Sequence, residues 1–341
     1  MSTTFSLLCL PKKALHHVVY SIDYIDIVAF SLTSNKTKEV VKSLKLEINN
    51  ISLTLDYIIR IQIDDFRNST SPMIWNFYPE KDYNSIEPIP IYMSAHVEGV
   101  RDVNPRQTLA KYRNPGLSIR EWLAHFQYIF SFPGRSPLLF GSETCKFELS
   151  SLKETIGKSD VTTLVFYNSC SLECAQMVLR QFPFIKRFFA CSQSFEDPSM
   201  YRNILIQNFD TLVLGHRTTS VKIELDELLL INSKEIHIRS TTITDNVINR
   251  FLKHWIEGSN PRMDVVSFDF RDGRFLDKNA ILKGTNYREV LLNEVRHSKR
   301  FAHGIIEVKG GYDIRRKDGN VGTVSILQQG QKRMVQFFIW S

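Results

Sequence analysis

The sequence predicts an α/β protein in which a small N-terminal three-helix module precedes a strand-helix repeat-like domain with antiparallel β meanders. Apolar residues recur at helical spacing over residues 11–44, and they alternate with polar residues directly afterwards. From about residue 161, short strands recur at regular intervals. The predicted parts are the helical module at 1–44, a linking region of β meander, loop and helix at 45–135, and the repeat-like domain at 136–341.

Size and composition indicate a globular protein of the cell interior. The chain has 341 residues, of which 23% are charged, so it can bury a sizeable core. The longest apolar runs are too short to span a bilayer. The apolar stretch at residues 5–10 is followed, not preceded, by its basic pair, which argues against a signal peptide. We therefore expect a cytoplasmic or nuclear protein without a membrane partner.

The first predicted helix begins at Pro11, whose missing N–H would have no partner in the first turn. Asp23 suits the N-cap of the second helix, and Asp26 suits its first turn. A third short helix ends near Leu44. The apolar stripes of the first two helices comprise Ala14, Leu15, Val18, Val19 and Ile22, then Ile25, Val28, Ala29 and Leu32.

These stripes are broad: Val19 and Ile25 lie outside their main line, and Leu10 and Ile27 lie off the stripes altogether. A module of this size is near the lower limit for independent folding, so these side chains need a covering surface. The rest of the chain can provide it. A second protein can provide it as well, because clustered exposed apolar residues usually mark an interface.

The order of these residues resembles an F-box. The resemblance rests on Leu10-Pro11, Leu15, Val18-Val19, Ile22, Asp26-Ile27 and Ser31-Leu32. It implies docking on the Skp adaptor of a cullin-RING ubiquitin ligase. The adaptor-binding residues that it implies are Leu10, Pro11, Leu15, Val18, Val19, Ile22, Ile25, Asp26, Ile27 and Leu32. Ile27 stands where that family usually has Leu, and Lys12-Lys13 replace a common acidic residue.

The linking region is predicted to begin with strands and to end with a helix. Alternating residues predict an antiparallel meander of strands at 44–49, 51–55 and 57–64. A Pro-rich stretch at 71–115 is predicted as loop, with one strand near residues 89–95. The helix at 117–130 has a capping box made of Ser118 and Glu121.

The repeat-like domain is predicted from strands that start every 24 to 30 residues, with helices between them. The strands are at 161–167, 185–190, 211–214, 235–238 and 264–270. In the unit at 231–263, Ile236 and Ile238 are predicted to share one face of the strand, and Thr244 suits the N-cap of the helix. This spacing is in the range of leucine-rich-type repeats, although the strict signature of those repeats is missing. A strand and helix cannot bury their apolar face alone, so neighbouring units must stack. The stacked parallel strands can then present a binding face.

A second resemblance, which begins upstream at EWLAHFQYIF (residues 121–130), covers most of the chain. The run NSKEIHI, the run TDNVINRFLKHWIEGSNPRM after it and the upstream ILIQNFDTLVLG resemble the F-box-associated domain of the second type. That domain belongs to an expanded nematode family of F-box proteins. The resemblance implies that this part of the chain binds a target protein.

The end of the chain is predicted as a four-stranded meander with turns at Gly310-Gly311 and Asp318-Gly319. Two basic runs, 296–300 and 314–319, are predicted to be a solvated face, with a phosphate-binding patch as the less favoured alternative.

Motifs of catalysis, of phosphate-loop binding and of metal ligation are missing from the sequence, so neither an enzyme nor a cofactor or metal is expected. The favoured function is substrate recognition in a Skp–cullin–F-box ubiquitin ligase, with a target protein bound by the C-terminal domain. A first alternative is an interaction scaffold outside any ligase, with the three helices as an internal cap. A weaker alternative is a nucleic-acid-binding protein that uses the late basic runs.

Overall fold

The computed structural model describes residues 7–65, 72–79, 88–91, 96–103, 106–113, 116–132, 137–156, 161–168, 170–192, 195, 202–215, 220–240, 242–270, 273–300, 304–330 and 332–340. The chain forms two compact units, Met1–Thr162 and Thr163–Ser341, which are called unit 1 and unit 2 below. Together they give a mixed α/β architecture with a helical N-terminal region. The three-part division predicted from the sequence stays a prediction.

Unit 1 begins with the predicted three-helix module. Its helices are α1 (Lys12–Ser21), α2 (Tyr24–Ser31) and α3 (Asn35–Ser43), and two further helices follow later, α4 (Ile119–Ile129) and α5 (Leu152–Ile156). The predicted N-cap of α2 is observed, since the Asp23 carboxylate accepts the N–H of Ile25 at 2.9 Å. The predicted capping box of α4 is also observed, between Ser118 and Glu121.

The sheet of unit 1 is larger than the sequence predicted. Its strands are β1 (Leu46–Leu55), β2 (Ile59–Asp65), β3 (Met73–Tyr78), β4 (His96–Val103), β5 (Arg106–Arg113), β6 (Phe130–Ser131) and β7 (Pro137–Phe140). Strands β1 to β5 form an antiparallel meander, and both β6 and β7 pair with β1 in parallel.

Three predictions for this region were wrong. The strands predicted at 44–49 and 51–55 are a single strand that begins at Leu46, because a shift of register between Ile48 and Asn50 lets the ladder continue past Asn49 and Asn50. The loop predicted at 71–115 contains β3, β4 and β5. The strand predicted near residues 89–95 is reduced to one bridge between Ile89 and Phe147, and residues 92–95 lie outside the described residues.

Helix α4 covers one face of this sheet. The ring of Trp75 on β3 lies 5.6 Å from Trp122 and 5.3 Å from Phe126, and all three side chains are fully buried. Another part of α4 contacts the three-helix module, because the imidazole Nε2 of His125 lies 2.8 Å from the hydroxyl of Ser31 on α2. The apolar face of α4 is therefore part of the core of unit 1.

Unit 2 begins with alternating strands and helices. The strands are β8 (Thr163–Asn168), β9 (Arg187–Ser192), β10 (Thr211–Leu214), β11 (Glu235–Arg239) and β12 (Val265–Phe270). The helices are α6 (Leu172–Gln181), α7 (Arg202–Leu205), α8 (Leu225–Leu230), α9 (Asp245–Ile256) and α10 (Lys278–Ile281). All five strands are parallel, and Thr163, Arg187, Thr211, Glu235 and Val265 are in register.

The parallel strands start at intervals of 24 residues and, between β11 and β12, of 30 residues. The alternation of strand and helix is thus observed, while a likeness to leucine-rich repeats stays a prediction. Ile236 and Ile238 on β11 are both buried, as their period-two spacing predicted. The N-cap of α9 is the predicted Thr244, whose hydroxyl accepts the N–H of Val247 at 3.3 Å.

The C-terminal meander consists of β13 (Tyr287–Arg300), β14 (Gly304–Arg315), β15 (Val321–Gln329) and β16 (Lys332–Trp340). It continues the parallel array, because β16 pairs antiparallel with β12 and β15, β14 and β13 follow in that order. Asp318-Gly319 lies in the turn between β14 and β15, as predicted.

The turn predicted at Gly310-Gly311 was wrong, because both glycines lie inside β14. They have positive φ angles of 65° and 120° at the point where β13 bulges. A Cβ atom on Gly311 would lie 2.7 Å from the carbonyl oxygen of Val324, so only glycine fits there. The glycines therefore allow neighbouring strands to approach closely, and they do not form a turn that reverses the chain.

Helix α9 fixes the meander to the array through Trp255. Its indole is fully buried and meets Phe337 of β16 edge-on, with ring centroids 4.7 Å apart.

We expect Trp255→Ala to lower the free energy of unfolding by roughly 3–5 kcal/mol, because the substitution leaves a large cavity. Urea denaturation of the full chain measures this change. The exposed Arg250→Ala on the same helix is the control, with an effect within about 0.5 kcal/mol, and equal effects would contradict the assigned packing.

His125 makes the stability of unit 1 depend on pH. Burial, assisted by the charge of Lys38, lowers the pKa of His125 from 6.5 to about 4. The unfolded chain therefore binds a proton more readily than the folded chain, and stability is lost as the pH falls from about 6.5 towards 4, by up to roughly 3 kcal/mol. Denaturation experiments at about pH 7 and about pH 4.5 should show a smaller loss of unfolding free energy for the His125→Gln variant than for the wild type, because glutamine does not titrate. Equal losses in both proteins would contradict this assignment.

Candidate functional site

The ten residues that the F-box resemblance implies for adaptor binding fall into two groups in the structure. Leu15 is 6% exposed, and Val19, Ile25 and Ile27 are fully buried. Leu15 and Val19 lie one turn apart on α1, so they form its inner stripe. These four side chains hold the three-helix module together in the free chain.

The other six residues reach the surface. Pro11 and Asp26 are exposed, Val18 is 40% exposed, and the remaining three, Leu10, Ile22 and Leu32, are half-buried. The resemblance did not include Tyr20, which is 52% exposed on α1. The name "outer surface" is used below for Leu10, Pro11, Val18, Tyr20, Ile22, Asp26 and Leu32. It combines apolar side chains with one carboxylate, which is the composition of a protein interface.

A groove of about 360 Å³ also lies on the module. It is lined by Lys13, His16, His17, Tyr20, Ser43 and Leu44. The hydroxyl of Ser43 lies 2.9 Å from the Nε2 of His16, which ties the end of α3 to α1. The groove therefore shares Tyr20 with the outer surface and carries basic side chains beside it.

The inner side of the module rests on α4. The phenol of Tyr128 donates a short hydrogen bond to the carboxylate of Glu39, and the ammonium groups of Lys38 and Lys42 lie 4.7 and 3.8 Å from the centre of its ring. These contacts join α3 to α4, and the His125–Ser31 pair joins α2 to α4. The three helices therefore belong to unit 1, and helix α4 of the same unit covers their inner side.

Unit 2 contains a larger cavity, of about 780 Å³, on its C-terminal meander. The residues that line it are Asn286, Tyr287, Arg288, Arg296, His297, Asp313, Ile314, Arg315, Val321 and Trp340. Asn286 directly precedes β13, and the other residues come from the four strands of the meander. This group is called the arginine cavity below.

Asp313 is the centre of the polar network in the arginine cavity. Arg296 donates to both carboxylate oxygens, at 3.0 and 2.8 Å, and Arg288 and the hydroxyl of Thr323 donate at 3.0 and 2.6 Å. The indole N–H of Trp340 donates to that same hydroxyl at 2.7 Å. Burial acts to raise the pKa of Asp313, but the hydrogen bonds from Arg296, Thr323 and Arg288 outweigh it and hold the pKa below its ordinary value.

The positive charge of the cavity exceeds what Asp313 neutralises. Arg296 is occupied by a bidentate pair with Asp313, which raises the pKa of this arginine. The side chain of Arg288 is 66% exposed, and the exposed Arg315 forms no ion pair with any described residue. The imidazole of His297 is also exposed. The cavity therefore offers hydrogen-bond donors that another molecule can use.

Two basic runs of the sequence contribute residues to the arginine cavity, although the sequence did not predict a cavity there. Arg296 and His297 belong to the first basic run, and Arg315 belongs to the second. Both runs were predicted mainly as a solvated face. The sequence alone does not show that the two runs meet, which they do because β13 pairs with β14. Strands β13 and β14 are consecutive, and a shift in their register between Val290 and Val295 decides which residues meet.

A bulge on β13 lies close by along the chain. Val290 pairs with Gly311 and Val295 pairs with Lys309, so residues 291–294 face a single residue of β14. Leu291 and Leu292 in this bulge are largely exposed, Leu292 at 80%. Bulges re-aim side chains next to binding sites, and two exposed leucines are a typical apolar contact for a partner.

Two kinds of feature are absent from the described part of the chain. Its helices include none with the length and apolar character needed to cross a membrane. Its histidine, cysteine, aspartate and glutamate side chains form no cluster of three that could hold a metal ion.

Two family models match the chain. A model of the F-box domain matches residues 7–49, which include all three helices of the module. A model described as F-box associated matches residues 200–268, from α7 into β12. The arginine cavity lies C-terminal to both matches.

A curated relative is similar to most of the chain. The F-box associated domain-containing protein sdz-33 of Caenorhabditis elegans is 20% identical over 290 residues, which cover 84% of this chain and 83% of the relative. No solved structure matches the chain. Both resemblances seen in the sequence are therefore confirmed, and the chain carries an F-box domain followed by an F-box associated domain.

Proposed function

We propose that this chain is a substrate-recognition subunit of a Skp–cullin–F-box ubiquitin ligase. The observation that supports this proposal best is the F-box domain itself, which implies binding to a Skp adaptor. The F-box associated domain that follows fits the role of target binding. The chain supplies no catalytic group of its own in this proposal, since catalysis results from holding the target close to a ubiquitin-charged enzyme.

The adaptor binds, in this proposal, to the outer surface of the three-helix module. Val18 and Tyr20 are large side chains that are exposed to solvent in the free chain. Pro11, which precedes them in the sequence, and Asp26, which follows them, are exposed as well. Leu15, Val19, Ile25 and Ile27 act indirectly, by keeping α1 and α2 in place. The proposed location of the protein is the cytoplasm or the nucleus, where cullin-RING ligases work.

One observation favours the scaffold alternative as a second candidate. The module is joined to α4 by the His125–Ser31 pair and by the contacts of Tyr128, as an internal cap would be. These contacts lie on α2 and α3, however, and they leave Pro11 and Val18 of α1 exposed. An internal cap does not require an exposed apolar surface, whereas an adaptor contact does.

Substitution of the outer surface separates the two candidates. We expect the combined change Leu10→Ser, Pro11→Ser and Val18→Asp to abolish co-purification of the chain with a co-expressed Skp adaptor. None of these side chains is buried, so the free energy of unfolding should change by no more than about 1 kcal/mol. Leu15 is left unchanged in this test, because a polar residue at a buried position would also unfold the module.

The control replaces exposed apolar residues elsewhere, with Tyr57→Ser and Phe184→Asp in one chain. This control should retain a one-to-one complex with the adaptor. A wild-type chain that is folded but ignores every Skp adaptor supplied would refute the ligase proposal and favour the scaffold. Unfolding of the chain by the three outer-surface changes would likewise favour the internal cap.

A further inference from the structure

We propose that the arginine cavity of unit 2 binds an acidic segment of a target protein, with carboxylate or phosphate groups between Arg288, Arg315 and His297. This inference rests on the proposed function, because it names the class of target that the ligase subunit would select. It concerns residues 286–340, which lie outside both family matches.

The charge of the cavity decides the chemistry of its occupant. Three arginines line the cavity together with one carboxylate, that of Asp313, and Arg296 already satisfies this carboxylate with two hydrogen bonds. Arg288 also lies 3.8 Å from Glu294 and His297 lies 4.0 Å from Glu307, but neither glutamate lines the cavity. The guanidinium groups of Arg288 and Arg315 each have donors left, and a guanidinium binds a carboxylate or a phosphate group through paired hydrogen bonds. An acidic side chain would complete this site, whereas a basic one would be repelled.

The shape of the cavity fits a peptide segment. Its volume of about 780 Å³ holds several side chains, and the walls formed by Ile314, Val321 and Trp340 are apolar. The guanidinium of Arg296 lies 5.5 Å from the ring centre of Trp340, so the floor of the cavity is a fixed surface. The exposed Leu291 and Leu292 of the neighbouring bulge provide an apolar contact for residues that flank the acidic group.

Charges around the cavity favour a peptide over a nucleic acid. Glu289, Glu294 and Glu307 lie on the same two strands as the arginines, and Lys309 is paired with Glu307 at 3.0 Å. A nucleic acid needs a continuous basic surface that follows its phosphates. The interrupted pattern on β13 and β14 instead suits a short segment with one or two acidic groups.

A selection experiment tests the proposal. A library of random peptides displayed on phage is selected on the immobilised full chain, and enriched peptides are synthesised with a fluorescent label. We expect enrichment of aspartate and glutamate, and we expect Arg315→Glu to weaken binding by about tenfold or more, as loss of a charged hydrogen bond does. Fluorescence anisotropy measures the dissociation constants.

Arg250→Glu is the matched control. This exposed arginine on α9 does not line the cavity, and the substitution changes the net charge of the chain by the same amount. It should leave the affinity within about twofold, because long-range charge effects are screened. A second variant, Leu291→Ser with Leu292→Ser, should weaken peptides that carry flanking apolar residues.

Matched peptides with glutamate, glutamine or phosphoserine at the acidic position separate the two sources of negative charge. Tighter binding of phosphoserine would identify a phosphorylated target, and equal binding of glutamate would identify a carboxylate. Selection of neutral or basic peptides, failure to select any peptide, or acidic peptides that bind Arg315→Glu as tightly as wild type would overturn the proposal. So would a random-sequence RNA that binds through Arg315 while peptides do not.

Failure of this inference is distinguishable from failure of the proposed function. Arg315→Glu should still co-purify with a Skp adaptor, because Arg315 belongs to unit 2 and the outer surface belongs to unit 1. Adaptor binding without selection of acidic peptides would refute the cavity assignment alone. Acidic peptide binding without any adaptor binding would refute the ligase role and leave the cavity assigned.

Discussion

Both units depend on the same constraint, which is that a strand buries its apolar face only when a helix covers it. In unit 1, α4 places Trp122 and Phe126 against Trp75 of the sheet. In unit 2, α9 places Phe251 against Phe268 and Trp255 against Phe337. Each buried aromatic side chain of this kind contributes several kcal/mol of stability, so these two helices fix the positions of the elements around them.

The interaction surfaces follow from this arrangement. Because α4 covers the sheet with one set of side chains, His125 and Tyr128 remain available to hold α2 and α3. Because α9 holds β16 next to β12, the strands β15, β14 and β13 extend the array in fixed register. That register brings Arg288, Arg296 and Asp313 together, although the first and last of them are 25 residues apart in the chain.

Local signals in the sequence predicted the helices well. Asp23, Ser118 and Thr244 were each predicted as helix caps, and each accepts a backbone N–H at the start of its helix. Capping depends on residues within one turn of each other, so it can be read from a short stretch of chain. The parallel strands were found for a similar reason, since their spacing repeats along the chain.

Features that depend on distant pairing were missed. Strand β5 reads RQTLAKYR, and its mixture of charged and apolar residues does not indicate a strand unless its neighbour β4 is known. Gly310-Gly311 resembles a turn locally, yet Gly310 permits the close approach of β14 to β13 and Gly311 permits its close approach to β15. The arginine cavity was missed because Arg288, Arg296 and His297 lie on β13, which was not among the predicted strands.

The two proposed surfaces differ in how freely they can change. On the three-helix module, the buried Leu15 and Val19 hold the helix that carries the exposed Val18, so a change at the buried positions disturbs the exposed surface as well. In the arginine cavity, Arg296 and Asp313 form the fixed part, while Arg315 has no partner among the described residues. Substitution of an exposed, unpaired residue costs little stability. A chain of this design can therefore alter its choice of target at positions such as Arg315 while the fold and the adaptor surface stay the same.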